Sequence, residues 1–257
     1  MYFKQIVFFL LLACAQQVLA QPLEKSKRSV AFWAEQQFYT DTITKPHWFV
    51  ETQFRYSTLQ NNERNISSSF PFYRFQLMVG KLWIFNQNWG GGLSARPVFE
   101  KNRTYLFSRG FLQHTGRINN TRLLKRLSFE YISDSNTPAF YWARTAGFIE
   151  IEKPFYWKNQ PLFTSVSYEF FLNHRTESNP IPEENERLID RSRLRLNMGI
   201  AIKNWLISLF VLRETDYFFA QEVFDENGEL KKPFRKLNLL TPTYGVSLRY
   251  IWQNKSE

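Results

Sequence analysis

Three arginines stand two residues apart at Arg191-x-Arg193-x-Arg195, and on an extended strand that spacing puts all three guanidinium groups on one face. Such a ladder, if it lined a water-filled channel, would favour anions. The sequence holds only three imidazoles, His47, His114 and His174. His174 precedes Thr176 by two residues and Ser178 by four, so a general base stands near two hydroxyls, and an adjacent base is what activates a hydroxyl nucleophile. The stretch runs into a loop marked by Pro180 and Pro182, which makes a loop-edge histidine the default reading. There is no HExxH, glycine-rich phosphate loop or CxxC, so no motif stands behind a metal or nucleotide cofactor. Gly90-Gly91-Gly92 opens a strand-like stretch and reads as a bend or a close backbone approach.

The elements that carry these residues have a period of two. Trp48, Val50, Phe54 and Tyr56 alternate with His47, Glu51, Gln53 and Arg55, and Leu194, Leu196, Met198, Ile200 and Ile202 alternate with Arg193, Arg195, Asn197 and Gly199. The same alternation appears at 73–80, 126–131, 162–173 and 244–252. Helical amphipathicity would place apolar residues three and four apart, and none of these stretches does so. Strands are expected near 30–39, 47–57, 70–84, 89–99, 104–115, 121–132, 139–152, 161–174, 187–202, 205–217 and 242–252.

Many of these exceed the five or six residues usual in a soluble sandwich and suit a tilted strand crossing a bilayer. The connections at 42–46, 86–88, 119–120 and 203–204 are short, whereas 61–69, 173–186 and 218–238 are long and polar, the pattern of an outer-membrane barrel. The fold expected is an all-β transmembrane antiparallel β-barrel of 10–12 strands. Eleven strands are read directly, but bacterial single-chain barrels have even numbers, so parity favours twelve, with a further strand sought near 234–240. An odd count would also put the long connections on the periplasmic side if the first strand rose from there.

In such a barrel the polar face lines the lumen. The residues assigned to it are Glu51, Arg55, Arg74, Arg126 and Glu130, followed by Glu169, Arg191, Arg193, Arg195 and Arg249. Arg144, Glu150, Glu152 and Arg175 fall on the same face. Two readings of these charges stand side by side: an interior ion-pair network filling a narrow barrel, or a water-filled pore that small anions cross.

The whole sequence bounds these readings. It has 257 residues, 33 Lys+Arg against 23 Asp+Glu, 18% aromatic residues, ten glycines and one cysteine. A mean hydropathy of −0.40 excludes a bundle of membrane helices and leaves a barrel open, because only alternate barrel residues face lipid. Residues 1–20 read as a signal peptide, with Lys4 before an apolar run over 6–15 and cleavage after Ala20. Cleavage before Cys14 with lipidation is the alternative, since Leu11-Leu12-Ala13 forms a loose lipoprotein box. Residues 21–257 then form one barrel domain in the cell outer membrane. The positive balance fits contact with membrane lipids and lipopolysaccharide. It does not fit nucleic acid, because the basic residues alternate along strands and gather in no aromatic-interleaved patch.

Taken together, Trp48-x-x-Glu51-x-x-x-Arg55, the arginine ladder, Asn204-Trp205, Arg213-Glu214 and the closing stretch from Tyr244-Gly245 to Tyr250 resemble a family of Bacteroidota outer-membrane β-barrel proteins of unknown function. The resemblance covers most of the chain after residue 20 and is thin over 90–122. It implies an exported barrel and supplies no catalytic residue, substrate or cofactor. The functional expectation is a structural or pore-forming barrel with no cofactor or metal. The alternative is a phospholipase-like, lipid-modifying hydrolase using His174 with Thr176 or Ser178.

Overall fold

A strand with one apolar and one charged face can satisfy both by joining a sheet that closes on itself, since closure gives every edge a partner and separates the faces into outside and inside. In a computed structural model of the protein, the residues described are 24–27, 30–41, 47–57, 72–100, 103–134, 141–158, 160–175, 189, 191–220, 223–224, 230–232 and 235–253. The elements are β1 (Glu24–Lys27), β2 (Ala31–Asp41), β3 (His47–Ser57), β4 (Phe72–Ile84), β5 (Trp89–Glu100), β6 (Arg103–Ile118) and β7 (Thr121–Asp134). They continue as β8 (Tyr141–Trp157), β9 (Gln160–Arg175), β10 (Arg191–Ile202), β11 (Trp205–Ala220), β12 (Val223–Phe224), β13 (Leu230–Lys232) and β14 (Arg235–Gln253). No helix occurs among the described residues.

Strands β2 to β11 follow one another antiparallel around the wall, β14 pairs with β11, and β14 then pairs with β2 to close the barrel. The closing pair is parallel, from Thr243 beside Ala31 to Gln253 beside Asp41. The wall therefore has eleven strands, and the twelve favoured on parity is corrected. An odd number closes without an unpaired edge because a parallel ladder satisfies the last two strands. The twelfth strand sought near 234–240 is the first part of β14, which runs 19 residues and pairs with β11 back to Arg235 beside Ala220. β1 extends the β2 side of the seam beside Leu237 to Leu240 of β14, and β12 pairs with β13 outside the wall.

The odd count also sorts the connections. Beginning from β2, the tight turns at 42–46, 85–88, 119–120, 158–159 and 203–204 all fall at one end. The connections 58–71, 101–102, 135–140, 176–190 and 221–234 fall at the other. At three tight turns Asn119, Lys158 and Lys203 take the left-handed backbone conformation, with φ between 48° and 53°. Each is the first residue of its turn, where the primed hairpin turns that match strand twist call for a positive φ. Residues 1–23, with the expected signal peptide and Cys14, lie outside the described residues.

The two faces differ in chemistry. Leu93, Leu127, Leu196, Met198 and Leu209 are exposed around the middle of the outer surface. Toward the tight-turn end the outer face carries Trp48, Trp89, Trp205 and Trp252, and toward the other it carries Phe54, Tyr56, Phe99 and Tyr131. The inner face buries Trp33, Phe107, Ile132, Phe171, Phe210 and Leu212 alongside Glu35, Arg55, Glu130, Arg144, Glu214 and Asp216.

Candidate functional site: the charged interior

The inner side chains form two layers, which follow from how far each residue lies along its strand. Arg55 stands near the end of β3, and Arg74, Arg144 and Arg191 near the starts of β4, β8 and β10, so all four gather toward the end with the long connections. Arg96, Arg193, Glu130 and Glu214 complete this layer from neighbouring strands. Glu214, 1% exposed, accepts from Arg55 Nη2 at 3.1 Å and from Arg193 Nε at 2.6 Å. Arg193 also reaches Glu169 at 3.4 Å, Arg191 pairs with Asp216, and Arg195 donates to Glu35 at 2.9 Å. Each rung of the arginine ladder thus meets a carboxylate: β9 and β11 present Glu169, Glu214 and Asp216 in register with Arg191 and Arg193, and Glu35 reaches Arg195 from β2.

Glu130, at 2% exposure, serves three cations: Arg144, Arg96 at 3.3 Å and Arg109 at 3.6 Å. Aromatic rings back the guanidinium groups. Arg96 and Arg144 lie 4.5 and 5.0 Å from the Phe107 ring centre, Arg144 and Arg193 lie 4.6 and 5.1 Å from that of Phe171, and Arg55 sits 4.8 Å from that of Trp33. A cation over a ring face gains attraction there without consuming a donor hydrogen, so the N–H groups remain aimed into the lumen.

The second layer lies toward the tight turns and rests on rings more than on ions. Phe49 stacks on Tyr39 with centres 6.0 Å apart and meets Phe111 edge-on at 6.3 Å. Gly80 and Gly92 face these rings so closely that a Cβ at either would overlap Phe49 or Phe111, which is why the chain uses glycine there. Arg126 lies over Phe148 at 4.7 Å and Phe111 at 6.0 Å. Glu51 accepts from the Tyr39 hydroxyl at 2.5 Å, Arg249 donates to Gln37 at 2.7 Å, and Arg122 pairs with Glu152 at 3.3 Å.

Each lumen residue named from sequence therefore has a place. Arg55, Arg74, Glu130, Glu169, Arg191 and Arg193 belong to the ionic layer, Arg195 connects it to the middle of the barrel, and Glu51, Arg126 and Arg249 belong to the ring layer. Sequence reading missed Trp33, Glu35, Arg96, Arg109, Glu214 and Asp216. β11 hides its acids because Leu206 to Leu212 is apolar on both faces, apart from Ser208, so no alternation shows which of Arg213 and Glu214 turns inward. The register with Arg193 settles it: Glu214 is buried and Arg213 exposed on the outside.

The remaining candidates sit elsewhere. His174 is exposed on the outer face of β9, its Nε2 2.9 Å from Thr145 Oγ1 on β8, while Thr176 and Ser178 lie outside the described residues. His114 packs edge-on against Trp89, with ring centres 4.9 Å apart, on the outside near the tight turns. His47 Nδ1 lies 2.6 Å from the Thr40 carbonyl oxygen at the β2–β3 connection. The three imidazoles are therefore on separate parts of the wall.

No family model matches the chain, and neither a curated protein nor a solved structure matches it. Its class is thus defined by its own geometry: an eleven-stranded β-barrel with a parallel seam, an apolar aromatic-rimmed outside and an arginine-rich inside.

Proposed function

We propose that this chain is an exported barrel of the bacterial outer membrane, structural in type, with its lumen closed by ion pairs and its long connections presented at one end. The observation that carries this reading is the division of faces. Leucine, isoleucine, valine and methionine side chains exposed around the wall between two aromatic rims are the outer surface a lipid-embedded barrel needs, and a soluble monomer rarely shows so many together. Lys81 supports the same reading, since its Nζ lies over the Trp48 and Trp83 rings at 5.2 and 5.5 Å, at the level where anionic headgroups would meet it. Membrane lipids and lipopolysaccharide are the partners this surface fits, and the resemblance to Bacteroidota outer-membrane barrels would place it in the same compartment. A folded protein that stays monomeric and soluble without detergent would overturn the reading.

The interior favours closure over conduction. Among the described residues ten ion pairs cross or line the lumen, and the cavity among the arginines is too small for an open passage. The folded protein in a planar bilayer is expected to be silent. Steady anion-selective steps would establish the pore instead, and replacing Arg191, Arg193 and Arg195 with glutamate should then shift selectivity toward cations.

A second reading rests on the His174–Thr145 contact, an imidazole beside a hydroxyl as a lipid-modifying hydrolase would need. It requires phospholipid turnover that both His174→Ala and Thr145→Val abolish, and an inactive wild-type protein in mixed micelles eliminates it.

A further inference from the structure

The geometry points to a binding site for one compact oxyanion, of the size and charge of phosphate or sulfate, inside the barrel in the ionic layer. The site is the cavity lined by Arg55, Arg74, Arg96, Arg144, Arg191 and Arg193. Six guanidinium groups from five strands converge on it, and no carboxylate is among its lining residues. Gln53 and Gln76 complete the wall on one side and Trp33 on another.

Three observations go beyond the convergence of charge. The first is that carboxylate is short where it is needed. Glu130 answers Arg96, Arg109 and Arg144 together, and Arg74 reaches Glu100 only at 3.7 Å, so these four cations share two acids. Uncompensated charge away from bulk water costs several kcal/mol, and an anion seated among the guanidinium groups would offset it. The second is the presence of unused donors. The Trp33 indole N–H is buried without a partner on a side chain only 5% exposed, and Arg74 Nε is buried without one as well. A buried donor left unsatisfied calls for an acceptor at that spot. Both residues line the cavity.

The third is preorganisation. Phe107, Phe171 and Trp33 pack against the guanidinium groups of Arg55, Arg96, Arg144 and Arg193, all of which line the cavity, and restrict their movement. Planar guanidinium forks match the paired oxygens of an oxyanion better than they match a spherical ion. Size sets the rest of the ligand class. The cavity is small, which limits a ligand to a compact ion and excludes an organic body. The site does not depend on whether the barrel conducts, or on which membrane holds it.

The test is calorimetric titration of the full-length protein, folded in detergent, with inorganic phosphate at constant ionic strength. Saturable one-to-one binding is expected. Trp33→Phe, which keeps the ring and removes the N–H, and Arg74→Gln should each weaken it about tenfold. Arg122→Gln, which removes a cation from an ion pair remote from the cavity, should leave it unchanged. Absence of saturable heat with a folded wild-type barrel would overturn the site, as would equal weakening by Arg122→Gln, the mark of diffuse charge attraction. Should Arg74→Gln fail to fold, an undiminished affinity in Trp33→Phe is sufficient to overturn it. Glycerol phosphate should not bind, and binding of glycerol phosphate in preference to inorganic phosphate would refute the assignment to a compact free ion. A soluble, detergent-free barrel that still titrated in this way would sink the membrane reading and leave this one standing.

Discussion

The two inner layers solve the same problem by different means. Toward the long connections the lumen is filled by arginines paired with carboxylates, several of them also packed on aromatic rings, with Glu130 and Glu214 as shared centres. Toward the tight turns it is filled by Phe49, Phe111, Phe148 and Tyr39 set against glycines, with fewer ions between them. Ions reach across a wide lumen because their side chains are long. Rings fill space only when the opposite wall comes close, and glycine is what lets it. The comparison teaches where a ligand site is to be sought: the ionic layer surrounds a cavity with polar donors, whereas the rings of the other layer meet glycine and one another in van der Waals contact.

Breaking the ionic layer at its most shared point should have the largest effect. Glu130→Gln removes the negative charge that serves three arginines, and a destabilisation of about 3–5 kcal/mol is expected, the range for breaking a buried ion pair from one side. Urea unfolding of the detergent-folded barrel, followed by tryptophan fluorescence, measures it, and a loss below about 1 kcal/mol would mean that water already compensates these charges.

The ring layer should respond to volume instead of charge. Gly80→Val drives methyl groups into the Phe49 ring, for an expected loss of about 1–3 kcal/mol, part of which Phe49→Ala should restore in the double variant. Additive losses in that cycle would show that the two residues do not compete for the same space. Tyr39→Phe deletes the hydroxyl that meets Glu51 and should cost about 1 kcal/mol. The smallest effect is expected at the rim: in the Arg122–Glu152 pair the side chains are 33% and 24% exposed, and Arg122→Gln should lower the unfolding free energy by no more than about 0.5 kcal/mol.

The contrast also marks what could be read from the chain. β3, β4, β7 and β10 are legible because each alternates an apolar outer face with a polar inner one, and their expected bounds agree with the structure within a few residues. β14 was legible only from residue 242, since Leu237, Leu239 and Leu240 break the period before it. Of the ring layer only Glu51, Arg126, Arg249 and the close approach at Gly90-Gly91-Gly92 were legible, whereas Gly80, Phe49 and Phe111 are far apart in sequence and only register brings them together. Of the ionic layer, the arginine ladder was plain, but its partners on β11 were not, because that strand is apolar on both sides before Glu214. Pairing partners are a property of register, and a single strand does not carry it.

The parallel seam has a consequence for how the molecule comes together. Every other junction in the wall joins strands that are neighbours in sequence across a hairpin or a connection, whereas β2 must find β14 more than two hundred residues later. Ten strands can therefore accumulate one hairpin at a time, but the wall remains an open ribbon until the last strand arrives. The ion pairs that bridge distant strands, Arg55 with Glu214 and Arg195 with Glu35, can form only when it does. The lumen chemistry is thus the latch of the folding reaction, made in the same moment as the seam and lost first when the seam parts.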